Sequence, residues 1–307
     1  MLRAKELGWA EVSAVALFKR LRSAQQWLSE LCAWLLAGQR RLLGDQNDWP
    51  EGFAVRLIDA TDVQEPGSTG TAWRIHYSLR MPQMVCDHYE ITDGKGGEKF
   101  GRFAFCKDEL AVADRGYSHR AGVAHVMDSG AQVLVRWNPA GFPLEHRKGM
   151  ATTMLEWLHR LPATSAKECE VWFKHQGKRH KLRLCAIRKN RTATEIASKK
   201  AQVAAKEAKR NIQDETLQYA EFVMVLCSAS KEQVSCATAL GLYRGRWQVE
   251  LAFKRLKSLL DAGHVPKESD ASARSWMQAK VLSALLIERT LWEGEFLSPW
   301  GYGIEGR

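Results

Sequence analysis

Fifteen residues towards the C-terminus, from Tyr243 to Lys257, constrain this chain more than any other stretch: Tyr-Arg-Gly-Arg-Trp-Gln-Val-Glu-Leu-Ala-Phe-Lys-Arg-Leu-Lys. Only Gly245 interrupts them, and their apolar residues recur at helical intervals, so the stretch predicts a helix. At 3.6 residues per turn, Tyr243, Arg246, Glu250 and Lys257 fall within roughly 60° of one another. Leu242, Val249, Phe253, Leu256 and Leu260 form an apolar stripe beside them. One face packs, and the neighbouring face presents a carboxylate flanked by cations. Such a set suits a site that binds a metal through a hard oxygen and grips phosphates through charged donors. For any one of these residues alone, a solvated charge on an amphipathic helix is the plainer reading.

Two aspartates upstream stand in strand-like contexts. Val55 to Ile58 is a short apolar run that delivers Asp59 in Ile-Asp-Ala-Thr, with Asp62 as its rival three residues on. Glu109 to Ala113 is a second such run, followed by Asp114-Arg115-Gly116-Tyr117. Read without any relative, an Asp before Thr caps a turn as readily as it binds a metal. Arg115 can likewise pair locally while Gly116 supplies a positive φ. Strands are also expected at Thr71 to Leu79 and Val85 to Thr92. In the first of these, Trp73, Ile75 and Tyr77 alternate with Arg74, His76 and Ser78 as in a half-buried strand. His76 has no His or Cys at metal-binding distance in sequence and reads as structural.

The spacing Tyr-x2-Arg-x3-Glu-x6-Lys, met by Tyr243, Arg246, Glu250 and Lys257, resembles the signature of family four of the bacterial insertion-sequence transposases. The phrases around Asp59 and Asp114 resemble that family's first two acidic sites. The resemblance implies an α/β, ribonuclease-H-like fold, a mixed sheet flanked by helices with a strand-rich insertion between the second and third acids. It implies Asp59, Asp114 and Glu250 as catalytic metal ligands for two Mg²⁺ ions, replaceable by Mn²⁺. The implied reaction is cleavage at transposon ends and strand transfer to target DNA. A nuclease that only hydrolyses, or a non-catalytic DNA-binding remnant, stays open beside it. Tyr243, Arg246, Lys257 and Arg115 are implied DNA contacts. So is Phe222, through stacking on a flipped base, although composition alone reads Phe222 as core. The implied partner is double-stranded DNA, bound by a homodimer.

Net charge of +10 and a pI near 9.3 independently favour a polyanionic partner. The seven cysteines are scattered and never paired as Cys-x2-Cys. They read as reduced thiols, neither a disulfide framework nor a zinc site. No run of about 18 uncharged apolar residues and no signal-peptide core is present, so the expectation is a cytoplasmic, nucleoid-associated protein with no membrane partner.

Residues 1–50 are expected to form a short helical region. Leu17, Leu21, Leu28, Leu31, Leu35 and Leu42 recur among basic residues, suiting either DNA contact or packing on the main domain. The resembling transposases usually carry a longer end-binding region there, which implies reduced end recognition or a truncated frame. Residues 51–307 are expected to form the catalytic domain, with the insertion at about 140–215. Within it, Glu170 to Lys174 and Lys181 to Arg188 read as a hairpin whose Lys174, Lys178, Arg179, His180, Lys181, Arg183, Arg188 and Lys189 suit a DNA backbone. An exposed helix is expected at Ala193 to Arg210, a strand at Tyr219 to Cys227, and a closing helix at Ala271 to Leu291. The terminal Ile-Glu-Gly-Arg resembles a protease-cleavage tag and can equally be natural.

Overall fold

The computed structural model describes residues 5–8, 11–43, 52–68, 70, 72–145, 151–163, 165–266 and 270–296. The turn expected from Trp49 lies mostly outside them, as does the terminal Ile-Glu-Gly-Arg. In chain order the elements begin with α1 (Ala14–Ser23), α2 (Gln25–Leu43), β1 (Ala54–Val63), β2 (Trp73–Arg80) and β3 (Val85–Asp93). Then come β4 (Glu109–Ala113), α3 (Arg120–Asp128), β5 (Gln132–Arg136), β6 (Leu144–Glu145), β7 (Ala151–Thr152) and α4 (Leu155–His159). They continue with β8 (Lys167–His175), β9 (Lys178–Arg188), α5 (Arg191–Glu207), α6 (Asp214–Ala220) and β10 (Phe222–Cys227). The last are α7 (Cys236–Gly245), α8 (Trp247–Ser258) and α9 (Asp270–Phe296). The chain divides into two compact units, Met1–Gln46 with Asp59–Gly97 and Gln248–Arg307, and Asn47–Ile58 with Glu98–Trp247.

In the first unit the strands follow the order β3-β2-β1, β1 contributing its second half. Ser13 starts α1 by accepting the Ala16 amide on its hydroxyl, a side-chain cap for an otherwise orphan donor. Leu28, Cys32, Leu35 and Leu43 of α2 are buried, and the Cys32 thiol faces the Gln278 carbonyl of α9 at 3.8 Å. Packing thus accounts for this part of the N-terminal leucine pattern, whereas Leu17 stays 40% exposed. The half-buried alternation expected of β2 is not found: Tyr77, His76 and Ser78 are all buried. The Tyr77 ring meets Phe253 of α8 edge-on and its hydroxyl donates to Glu288 of α9. His76 hydrogen-bonds within the sheet to Thr92 Oγ1, in keeping with a structural role. Polarity alternates in this sequence, but cover does not.

In the second unit the order is β1-β4-β5-β10-β9-β8-β6-β7, with β1, β4 and β5 parallel and the strands beyond them antiparallel. All five residues of β4 are buried, as a strand between parallel neighbours requires. The unit is thus a mixed sheet with flanking helices. The expected hairpin is β8 and β9, closed by Gln176 and Gly177 at φ 46° and 78°, the paired positive values of a tight hairpin turn. It extends the same sheet, because β9 pairs along β10 from Arg188↔Phe222 to Arg183↔Cys227.

Three expectations change in this unit. The hairpin's cations do not form a free basic stripe: Arg183 and His180 are buried, and Lys178, Arg179, Lys181 and Arg188 pair with Asp128, Glu145, Glu170 and Glu221. Tyr219 belongs to helix α6, and the strand starts only at Phe222. The single helix expected over Tyr243 to Lys257 is two helices, α7 and α8, with Arg246 between them and its amide donating to the Tyr243 carbonyl in a tightened turn. Gly245, the weakest helix former in the stretch, ends α7 at that break. The apolar stripe persists on both sides, with Leu242 buried in α7 and Val249, Phe253 and Leu256 in α8.

Candidate active site

The parallel ladder of β1 and β4 ends at the pair Ile58↔Ala113, and in both strands the next residue is an aspartate. Asp59 does not end its strand, as β1 runs on to Val63. Its Oδ1 accepts the Ala60 amide at 2.8 Å, and the side chain is half-buried. Asp62 lies three positions along the same strand and therefore on the opposite face. There its Oδ1 takes a 2.9 Å hydrogen bond from Arg74 Nε. The family resemblance favours Asp59 over Asp62, and the ion pair with Arg74 gives Asp62 a structural task.

Asp114 caps the single 3₁₀ turn Arg115–Tyr117, its Oδ1 accepting the Arg115 amide. Its Oδ2 lies 3.7 Å from Arg246 Nη2, with 37% of the aspartate side chain exposed. Tyr117 is fully buried beneath the turn. Gly116 does not adopt a positive φ. A Cβ at Gly116 would meet the Glu98 carboxylate, the far end of a flexible side chain that would have to move aside. Arg115 Nε and Nη2 donate to Asn138 Oδ1 at 3.3 and 3.1 Å.

Asp114 opens onto a cleft of about 1210 Å³ within the second unit. Arg115, Arg136, Asn138, Lys189, Lys200 and Tyr243 line it with polar groups. Burial, then the Arg136 charge, lowers the Arg115 pKa against the opposing pull of Asp114. Burial and the same Arg136 charge bring Lys189 down to about 8. Tyr243 is raised, first by burial and then by the Asp114 carboxylate, and Arg246 stands 5.9 Å over its ring. The cleft therefore concentrates cations around Asp114, with Glu215 as the other acid of its lining, an arrangement for a polyanion whose charge reaches Asp114. Sequence named Lys189 only as a hairpin cation and did not single out Arg136, because α5, α6 and β10 must fold before the two meet in the cleft.

Phe222 borders the cleft, but its ring is 1% exposed and belongs to the core. Arg188 covers it at 4.8 Å and His159 tilts against it. The packing supports its core reading. On α8, Glu250 is an exposed first-turn residue and Lys257 an exposed last-turn residue, two turns apart on one helix face. The acid and the base complement the positive and negative ends of that helix.

Residues 51–286 match the family model for the transposase DDE domain. The chain belongs to this family of transposases. It is 32% identical over 302 residues to the putative transposase InsL of insertion sequence IS186A in Escherichia coli strain K12, covering 96% of this chain and 80% of that protein. The transposase of insertion sequence IS421 from Escherichia coli is equally similar, at 32% over the same shares. Among solved structures, the piggyBac transposase synaptic complex with hairpin DNA aligns at a TM-score of 0.38 and 10% identity. That match covers 78% of this chain and 52% of the other, about half its length, too loosely to bear on the site. Among the described residues no helix is long and apolar enough to cross a membrane.

Proposed function

We propose that this transposase cleaves DNA at the ends of an insertion sequence and joins the 3′-ends to a target, as a member of family four carrying the signature Tyr243, Arg246, Glu250 and Lys257. The observation that carries this reading is the pair of aspartates that immediately follow the last paired residues of β1 and β4. Glu250 joins them as the third acid on the strength of the signature spacing. The donor set is entirely carboxylate oxygen, which fits Mg²⁺ and excludes a preference for soft metals. Asp59, Asp114 and Glu250 would hold two such ions, which when bound polarise the scissile phosphate and lower the pKa of the attacking hydroxyl.

The chain's own residues account for grip and orientation. Arg246 neutralises Asp114 until phosphate takes its place, since a guanidinium pairs with phosphate as well as with carboxylate. Arg115, Arg136 and Lys189 draw the backbone into the cleft, and Lys257 adds a phosphate contact from α8. Tyr243 donates its hydroxyl to a phosphate oxygen. DNA ends are held by a homodimer, each copy supplying one such site.

A stepwise assay on end-bearing DNA tests the proposal. Asp59→Ala, Asp114→Ala and Glu250→Ala abolish Mg²⁺-dependent cleavage and leave DNA binding in place, whereas Asp62→Ala remains active. An inactive Asp62→Ala beside an active Asp59→Ala would transfer the ligand role to Asp62. Cleavage without joined product would reduce the activity to hydrolysis.

A further inference from the structure

A second, chemically different cluster lies on the far face of the sheet in the second unit. Successive side chains of β9 alternate between faces. Leu182, Leu184 and Ala186 enter the main apolar core, which turns Arg183 and Cys185 to the other side. Antiparallel register sets Glu168 of β8 directly opposite Cys185, and Cys227 of β10 directly opposite Arg183. Helix α7 begins over this face, with Ser235 as its cap and Cys236 as its first residue. A carboxylate oxygen of Glu168 and the thiol sulfurs of Cys185 and Cys236 all lie within 4.8 Å of one another.

We propose that Glu168, Cys185 and Cys236 form a binding site for one thiophilic divalent cation, Zn²⁺ being the natural occupant. Ligand atoms of a tetrahedral zinc site are each about 2.0–2.3 Å from the metal, so sulfur and oxygen donors within 4.8 Å of one another need little movement to close on it. Charge supports the site. Arg183 already balances the Glu168 carboxylate, donating to its Oε2 and also to the carbonyls of Ala229, Ser230 and Val234. One Zn²⁺ replacing two thiol protons leaves the cluster's net charge unchanged, so no charge is added beside the buried Cys185. Three protein ligands from β8, β9 and α7 leave a fourth position for water. The thiols set this site apart from the carboxylate set proposed for Mg²⁺. Its occupancy would pin the start of the helix that leads to Tyr243 and Arg246.

The experiment uses the full chain, freshly reduced and stripped by a chelator, with Co²⁺ as the spectroscopic probe. One Co²⁺ per chain is expected to bind with thiolate-to-cobalt charge-transfer absorption, to be displaced by one Zn²⁺, and to raise the melting temperature. Cys236→Ser, at a half-buried helix start that serine tolerates, weakens binding by more than about a hundredfold, beyond the loss typical of an outer-shell partner. Cys106→Ser, an exposed cysteine elsewhere, leaves it unchanged. Uptake without the charge-transfer band overturns the proposal, as does equal uptake by Cys236→Ser and Cys106→Ser. So does peroxide closure of a Cys185–Cys236 disulfide, two thiols and one peroxide giving the disulfide and two waters, at the same rate with and without excess Zn²⁺. None of these readouts depends on DNA cleavage.

Discussion

The two walls of the Asp114 cleft are built in opposite ways. One wall consists of the ends of β4 and β5 with Asp114, Arg115, Arg136 and Asn138, backed by fully buried Val112, Val135 and Tyr117. The other is one face of α5, where Ala193, Ile196, Ala197, Lys200, Ala201 and Ala204 recur at helical spacing. Ala205 is the buried residue of that helix, and Ile196 is 53% exposed although it lines the cleft. The backed wall has its side chains fixed by the core, so a change there alters chemistry or the fold. The α5 wall is small-residue surface with one charge, so a change there should alter only how strongly a polyanion is held.

The largest expected effect is on the backed wall. Asp114→Asn should reduce cleavage about a thousandfold or more, the rate equivalent of several kcal/mol of lost transition-state stabilisation. The amide keeps the shape of the turn cap, so the melting temperature and DNA affinity should change little. A variant that melts early would mean that Asp114 serves the fold. Next is Phe222→Ala, which removes a ring from the core behind this wall and should cost about 3–5 kcal/mol of stability. Every step of the DNA assay should fall together. Loss of one late step at unchanged stability would instead revive the stacking role implied by the family resemblance.

Arg246→Ala, which removes the ion-pair partner of Asp114 on the backed wall, and Lys200→Ala, on the α5 wall, sharpen the comparison. Removing one phosphate-binding cation lowers the salt dependence of duplex binding by about 0.9 in slope. Arg246→Ala should also depress cleavage, because it removes the partner of Asp114. Lys200→Ala should change the slope alone and leave stability within about 0.5 kcal/mol. Equal effects on cleavage would erase the distinction between the walls.

The smallest effect is with pH at Lys189, whose ammonium donates to the Ala220 carbonyl. Its folded pKa is about 8 against an ordinary 10.5, so the unfolded chain binds more protons between those values. Stability should therefore rise with pH across that window through this residue, while the salt slope of DNA binding falls as the ammonium is lost. Lys189→Met should remove both trends. Persistence of either would assign it to another group.

Much of the sheet was legible because its strands obey local rules. The apolar runs before Asp59 and Asp114 need no knowledge of their neighbours, and neither does the Gln176-Gly177 turn. What escaped depends on partners distant in sequence. His76 and Ser78 look solvated by alternation and are buried by cover. Arg183 looks like a DNA contact and instead neutralises Glu168 across a strand pair. Cys185 and Cys236 share no motif spacing, and only the register of β8 and β9 with the start of α7 brings them together. The strand contexts of Asp59 and Asp114 were readable locally, but the ion pair that separates Asp62 from Asp59 needs Arg74, a residue of the next strand.

The position of β10 also bears on how the chain can be made. This strand lies between β5 and β9, bonded to both, yet it is synthesised after both. Until residues 222–227 leave the ribosome, the inner margins of two strands have unmet backbone donors and acceptors, the kind of margin that recruits other chains. Assembly of the second unit must then wait for one six-residue segment to be inserted between strands already formed. A chain interrupted before Phe222 would present two adhesive edges where the finished protein has none at that position.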